Sequence, residues 1–280
     1  MIAFLPFIIA LIYLLVALNY WRSARTAGGK TLSAPASPPW HTHVQRWQSH
    51  LIALGLGLHA VLLYCALFAQ GLNLSFANAL STILWLTVLI YWLTNLKHHL
   101  HSLQAFVLPP AAFFVLLQGW QPEAHVIPYA DQPLFVAHMV IAMLAYSLLT
   151  FAALHALLMM AAERKLHQKS SWLKLPDFPP LMTMETLLFR IITIGFALLT
   201  LTLLSGMMFS ELLFHHPLRL THKNVFTILS WLIFAGLLWG RYRYGWRGRT
   251  AIRWTLTGFV VLLLAYAGSK FVLEVLLHRA

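Results

Sequence analysis

Histidine is the residue type in this chain most able to do chemistry, with fifteen present against seven aspartates and glutamates. Several stand in or at the edge of long apolar runs, among them His59 in LGLGLHAVLLY, His138 in PLFVAHMVIAMLAYSLL and His222 in LTHKNVFTILSW. A neutral imidazole is a good metal donor and an easily protonated base. Burying one in hydrocarbon is costly unless it is bonded, so such residues mark functional sites by default. The alternative is a hydrogen bond from helix to helix. For His59 the ligand and hydrogen-bond roles weigh evenly, whereas His138 and His222 read as a ligand pair. The stretch FHHPLRLTHK, 214–223, adds His215 and His216, which read as interfacial polar residues, together with the cations Arg219 and Lys223.

The elements that must hold these residues are membrane helices. The composition is 60% hydrophobic and only 9% charged, against roughly 25% charged in a soluble domain. Crossing the hydrocarbon takes about 20 apolar residues. Runs of that kind occur at about 2–20, 51–69, 77–94, 104–118, 134–160, 186–210, 224–240 and 252–275. The expected fold is all-α, a single polytopic membrane domain over 1–280 with about eight transmembrane helices. The fourth run is the weakest, because it is short and contains Pro109-Pro110, where lost backbone donors predict a kink.

Lysine and arginine alternate by loop. Four cations in total lie in each of 21–50, 161–185 and 241–251, and Lys97 lies near 95–103; the loops 70–76 and 119–133 have none, and 211–223 has Arg219 and Lys223. The positive-inside rule then puts both termini outside, makes 21–50 a cytoplasmic linker and sets Trp239, Tyr242, Tyr244 and Trp246 at the inner interface. The first run has no basic residue before it and no cleavage site, so it reads as a retained helix. On this topology His138 lies roughly 6 Å below the outer edge, with His222 at similar depth, and His59 roughly 12 Å deep. His41, His43, His50, His98, His99, His101 and His167 fall in or beside cytoplasmic loops as interfacial groups. His155, 17 residues after His138, points about 100° away from it around the helix. His125 and His278 lie toward the outer surface.

These patterns exclude several classes. The net charge of +12 lies in loops between apolar runs rather than on a solvated face, so nucleic acid is not a partner. With Cys65 alone, no CxxC or CxxCH exists for thiol redox chemistry or covalent heme attachment. No nucleophile–base pair, phosphate loop or paired carboxylates are present, so the chain reads as a binding protein and not an enzyme. A hard-cation site would need several carboxylates, and the outer acids Glu123, Asp131, Glu211 and Glu274 are scattered. Imidazole pairs in a greasy setting suit heme iron, with zinc and copper as alternatives. Cations such as Lys223, Arg219 or Lys270 would meet the propionates.

From Glu185 onward the phrases ETLLFRIITIGFALLTLTLLSGMMFSELLF, HKNVFTILSW and GWRGRTAIRWTLTGFVVLLLAYAG resemble the cytochrome c assembly family. These are heme-handling membrane proteins of the CcsA and CcmC type, and the chain is most similar to their shorter HemX-like and YpjD-like branch. FRIITIGFALLTLTLLSG, 189–206, is the most specific part and GWRGR, 245–249, is next. The similarity is strongest over about 130–276. It implies a heme held between histidines near the outer face, with His138 at the place of the histidine before the family's outer loop. That loop carries a tryptophan-rich WWD motif in the family, whereas here no tryptophan lies between Trp172 and Trp231 and FHHPLRLTHK stands in its place. His222 is thus a ligand candidate by position, and a binding or accessory role fits better than a synthetase role.

The expected function is an inner-membrane protein of bacteria that holds heme b noncovalently near the outer face through His138 and His222. Lys223 serves a propionate, His59 is an inner alternative, and the bilayer, heme and a membrane protein are the partners. The alternative is a regulatory or scaffold subunit of a heme-synthesis or metal-transport complex with no heme of its own. A secondary transporter ranks last, for want of repeated halves and broken helices.

Overall fold

The computed structural model describes residues 4–27, 40–68, 72–98, 100–120, 132–167, 180–214 and 222–268. Among them the expected all-α architecture is present. The helices are α1 (Leu5–Ala27), α2 (Trp40–Phe68), α3 (Phe76–His98), α4 (Gln104–Trp120), α5 (Pro133–His167), α6 (Leu181–Phe214), α7 (His222–Tyr244) and α8 (Gly248–Leu263). A 3₁₀ turn, His101–Leu103, leads into α4, and a π-turn, Leu264–Gly268, continues α8. Eight segments of the described residues are long and apolar enough to cross a membrane.

Several helices outrun the apolar runs that predict them, since a helix continues past the hydrocarbon while its own backbone bonds hold. Residues 21–27 extend α1 and 40–50 open α2, so within 21–50 only 28–39 lie outside the described residues. α4 runs unbroken with Pro109 and Pro110 inside it. The proline region is buried, Leu108, Ala111 and Ala112 being almost fully enclosed, as expected where neighbouring helices must compensate for lost backbone donors.

α1, α2 and α4 pack together on one side, α6, α7 and α8 on the other, with α3 and α5 joining the two groups. Threonines such as Thr87, Thr150, Thr200 and Thr255 return their hydroxyls to the carbonyl four residues back, which satisfies a polar group without leaving the helix. Tryptophans do the reverse and tie helices: Trp85 and Trp92 of α3 donate to Leu56 and Ser49 carbonyls of α2, and Trp231 of α7 to Thr200 of α6. α1 and α2 approach closely at Gly55, where a Cβ would stand 2.7 Å from Cε1 of the fully buried Tyr13. Gly55→Ala is expected to lower stability by about 1–3 kcal/mol through overpacking, seen as a lower melting temperature of the detergent-solubilised protein.

The two ends of the bundle are built differently. Where α5 and α7 begin, the helices part and leave a cleft. At the other end Glu185 of α6 accepts from Arg241 of α7 at 2.7 Å and from the Gly248 N–H of α8 at 3.3 Å, with Arg247 at 3.7 Å. Arg241 also donates to the Trp246 carbonyl and lies over the Phe189 ring. Glu163 of α5 meets Arg249 at 3.4 Å. Gly245 and Gly248 adopt positive φ of 67° and 53°, a conformation glycine takes without steric cost. That is how GWRGR turns from α7 into α8. Beside it Trp239, Tyr242 and Tyr244 are exposed, whereas Trp246 packs on Trp254 with centroids 4.9 Å apart.

Candidate functional site

The cleft, of about 180 Å³, is walled by α5, α6, α7, the start of α3 and the π-turn after α8. His138 enters it from the second turn of α5 and Lys223 from the first turn of α7. His138 and Lys223, each a candidate from the sequence, thus line one cleft. Met139, Met143, Met207, Leu203 and Ile228 supply apolar walls, and Tyr146 and Tyr266 supply aromatic ones.

His138 is oriented by its neighbour. Its Nδ1 lies 2.7 Å from Ser205 Oγ on α6. The Ser205 hydroxyl donates to the Leu201 carbonyl at 2.7 Å, so toward the imidazole it can only accept. In the tautomer that matches this donation, Nδ1 carries the proton and Nε2 is the basic nitrogen. Fixing one ring nitrogen in this way is how proteins orient a ligating histidine. Next to Ser205, Gly206 borders the ring: a Cβ there would stand 3.5 Å from His138 Cε1, an ordinary van der Waals contact.

The other histidines are placed as follows. His222 is the first residue of α7 and adjoins Lys223, but its side chain lies outside the described residues. His59 is fully buried away from the cleft, with Nε2 2.9 Å from Ser81 Oγ of α3 and Nδ1 3.4 Å from the Tyr13 hydroxyl of α1. Both nitrogens thus take part in bonds from helix to helix. His155 donates Nε2–H to the Met184 carbonyl at 2.9 Å and stacks on Phe151, which joins α5 to α6. His101 lies 3.5 Å from the Asn95 amide, and His50 is exposed. His41, His43, His98 and His167 lie in helices, but their side chains are outside the described residues, as are His99, His125, His215, His216 and His278 altogether. Among the described residues no three His, Cys, Asp or Glu side chains gather as a metal site, which leaves no multidentate zinc-type centre there.

Sequence reasoning missed Ser205, Tyr146, Thr227 and Tyr266. Ser205 and Thr227 resemble every other hydroxyl that bonds its own helix, and the tyrosines sit in uniformly apolar runs. The one available signal was that Ser205-Gly206 closes the most specific phrase of the resemblance.

The bundle and its cleft define a multi-pass helical membrane protein with a single-imidazole, cation-rimmed pocket among the described residues. The chain belongs to the cytochrome c assembly protein family, whose model matches residues 47–277. It is 30% identical over 226 residues to the inner membrane protein YpjD of Escherichia coli K12, covering 80% of this chain and 85% of that one. It is 26% identical over 196 residues to the cytochrome c biogenesis protein CcsA of Guillardia theta, covering 62% of this chain and 65% of that one. With CcsA of Prochlorococcus marinus MIT 9301 the identity is 29% over 179 residues, 57% of this chain and 58% of the relative. No solved structure matches the chain.

Proposed function

We propose that this chain is a heme-handling protein of the bacterial inner membrane, which holds heme b noncovalently in the cleft and serves cytochrome c assembly. The observation that carries the proposal is the oriented His138, its Nδ1 engaged by Ser205, in an apolar cleft that also holds Lys223. Heme supplies an iron that takes neutral nitrogen donors and a macrocycle that prefers apolar surroundings. The residues present suit both: one imidazole, aromatic and thioether walls, and a cation for a propionate. His222, adjoining Lys223, is the candidate for a second axial ligand. Membership of the family, with relatives named cytochrome c biogenesis proteins, supports the heme-handling role. The loop charges support termini on the outside and hence a cleft at the outer face. The role is holding and presentation rather than bond-making.

A second function has its own support. The hydrogen bonds that engage both nitrogens of His59 suit a scaffold whose buried histidines lock helices together, serving a heme-synthesis or metal-transport complex without heme of its own. Pyridine hemochrome analysis of the full chain purified from heme-replete cells separates the two. Heme b at about one per chain is expected. A heme-free chain that co-purifies with a membrane partner would favour the scaffold.

A further inference from the structure

Two phenols stand in the cleft wall, and in the function proposed above neither binds iron nor a propionate. Tyr146 comes from α5 and Tyr266 from the π-turn Leu264–Gly268, and both line the cleft with His138 and Lys223. Their ring centroids are 5.7 Å apart at an interplanar angle of 61°, an edge-to-face arrangement. Thr227 lines the cleft beside them, its hydroxyl donating to the Lys223 carbonyl at 2.8 Å. Tyr266 stands in the π-turn, a rare geometry that is frequent at functional sites. Planar aromatic ligands gain from such walls, because an edge-to-face pair leaves ring surface for a third π-system to stack on.

We infer that Tyr266, braced edge-to-face by Tyr146, is the stacking wall of the cleft, selecting a planar macrocycle and setting how long it stays. This rests on the heme assignment of the same cleft, yet it makes a separate demand. Stacking needs the ring and not the iron, whereas His138 needs the iron and not the ring. The purified full chain is titrated with hemin and with metal-free protoporphyrin IX, and hemin release is followed by transfer to apomyoglobin. Tyr266→Leu is expected to weaken both porphyrins about tenfold and to speed hemin release by a similar factor. Tyr266→Phe, which keeps the ring, stays within about twofold of the parent and serves as the folding control. His138→Ala weakens hemin but not protoporphyrin IX. Wild-type affinities in Tyr266→Leu, or an equal loss in Tyr266→Phe, overturn the stacking role alone. A parent chain that binds neither porphyrin overturns the heme assignment and the stacking role with it.

Discussion

Purified in detergent from heme-replete cells, the chain is expected to carry a Soret absorption, and His138→Ala is expected to lose most of it. His138 is the one imidazole among the described residues of the cleft, and its ring is oriented by a chain of bonds from His138 to Ser205 to the Leu201 carbonyl. Without the imidazole the described walls retain thioethers, phenols and a cation, none of them a comparable nitrogen donor for iron. Ser205→Ala keeps the ligand but frees its ring to turn, and loss of such an orienting partner costs about 10–100-fold in affinity. The order expected is therefore parent, then Ser205→Ala with weaker binding, then His138→Ala with the weakest. His50→Ala, an exposed imidazole elsewhere, should behave like the parent. A full Soret band in His138→Ala would remove this residue from the site.

The largest stability effect is expected at the opposite end of the bundle, in Glu185→Gln. The Glu185 side chain is 10% exposed and the Arg241 side chain 28%, so the pair is partly withdrawn from water and its loss is only partly screened. Glu185 also accepts from the Gly248 N–H, so one carboxylate ties α6 to the end of α7 and the start of α8. Removing one partner of a buried pair leaves the other charge desolvated, at a cost of about 3 kcal/mol here, the lower end of the range for such pairs because Arg241 keeps some water contact. The measurement is a melting curve in detergent, with Arg241→Gln and the double variant completing the cycle. Coupling is expected, so that the double variant loses less than the sum of the single ones. Additive losses would mean that the bond is not what holds these helices.

The two effects belong to different jobs in one bundle. Charge gathers at the GWRGR end, where Arg241 and Arg247 converge on Glu185 and Arg249 meets Glu163. The cleft end has one cation among its described lining residues and no carboxylate. A cleft that parts its helices needs them clamped elsewhere, and the ionic end supplies the clamp for α5, α6, α7 and α8.

By itself the sequence determined the eight apolar runs and hence the all-α membrane architecture, because the cost of burying a residue in lipid is local and sums along the chain. It also singled out His138 and Lys223, since an ionisable group in or beside such a run is conspicuous. Only the tertiary structure decided that these two share a cleft, that Ser205 orients His138, that Tyr146 and Tyr266 form a wall, and that His59 bonds Tyr13 and Ser81. The same holds for Arg241 finding Glu185 across two helices. The physical reason is rotation about the helix axis. A membrane helix is apolar nearly all round, so its hydropathy does not say which side faces a neighbour. The partners chosen when the helices pack lie 67 residues apart for His138 and Ser205 and 56 for Glu185 and Arg241, beyond the reach of any local pattern.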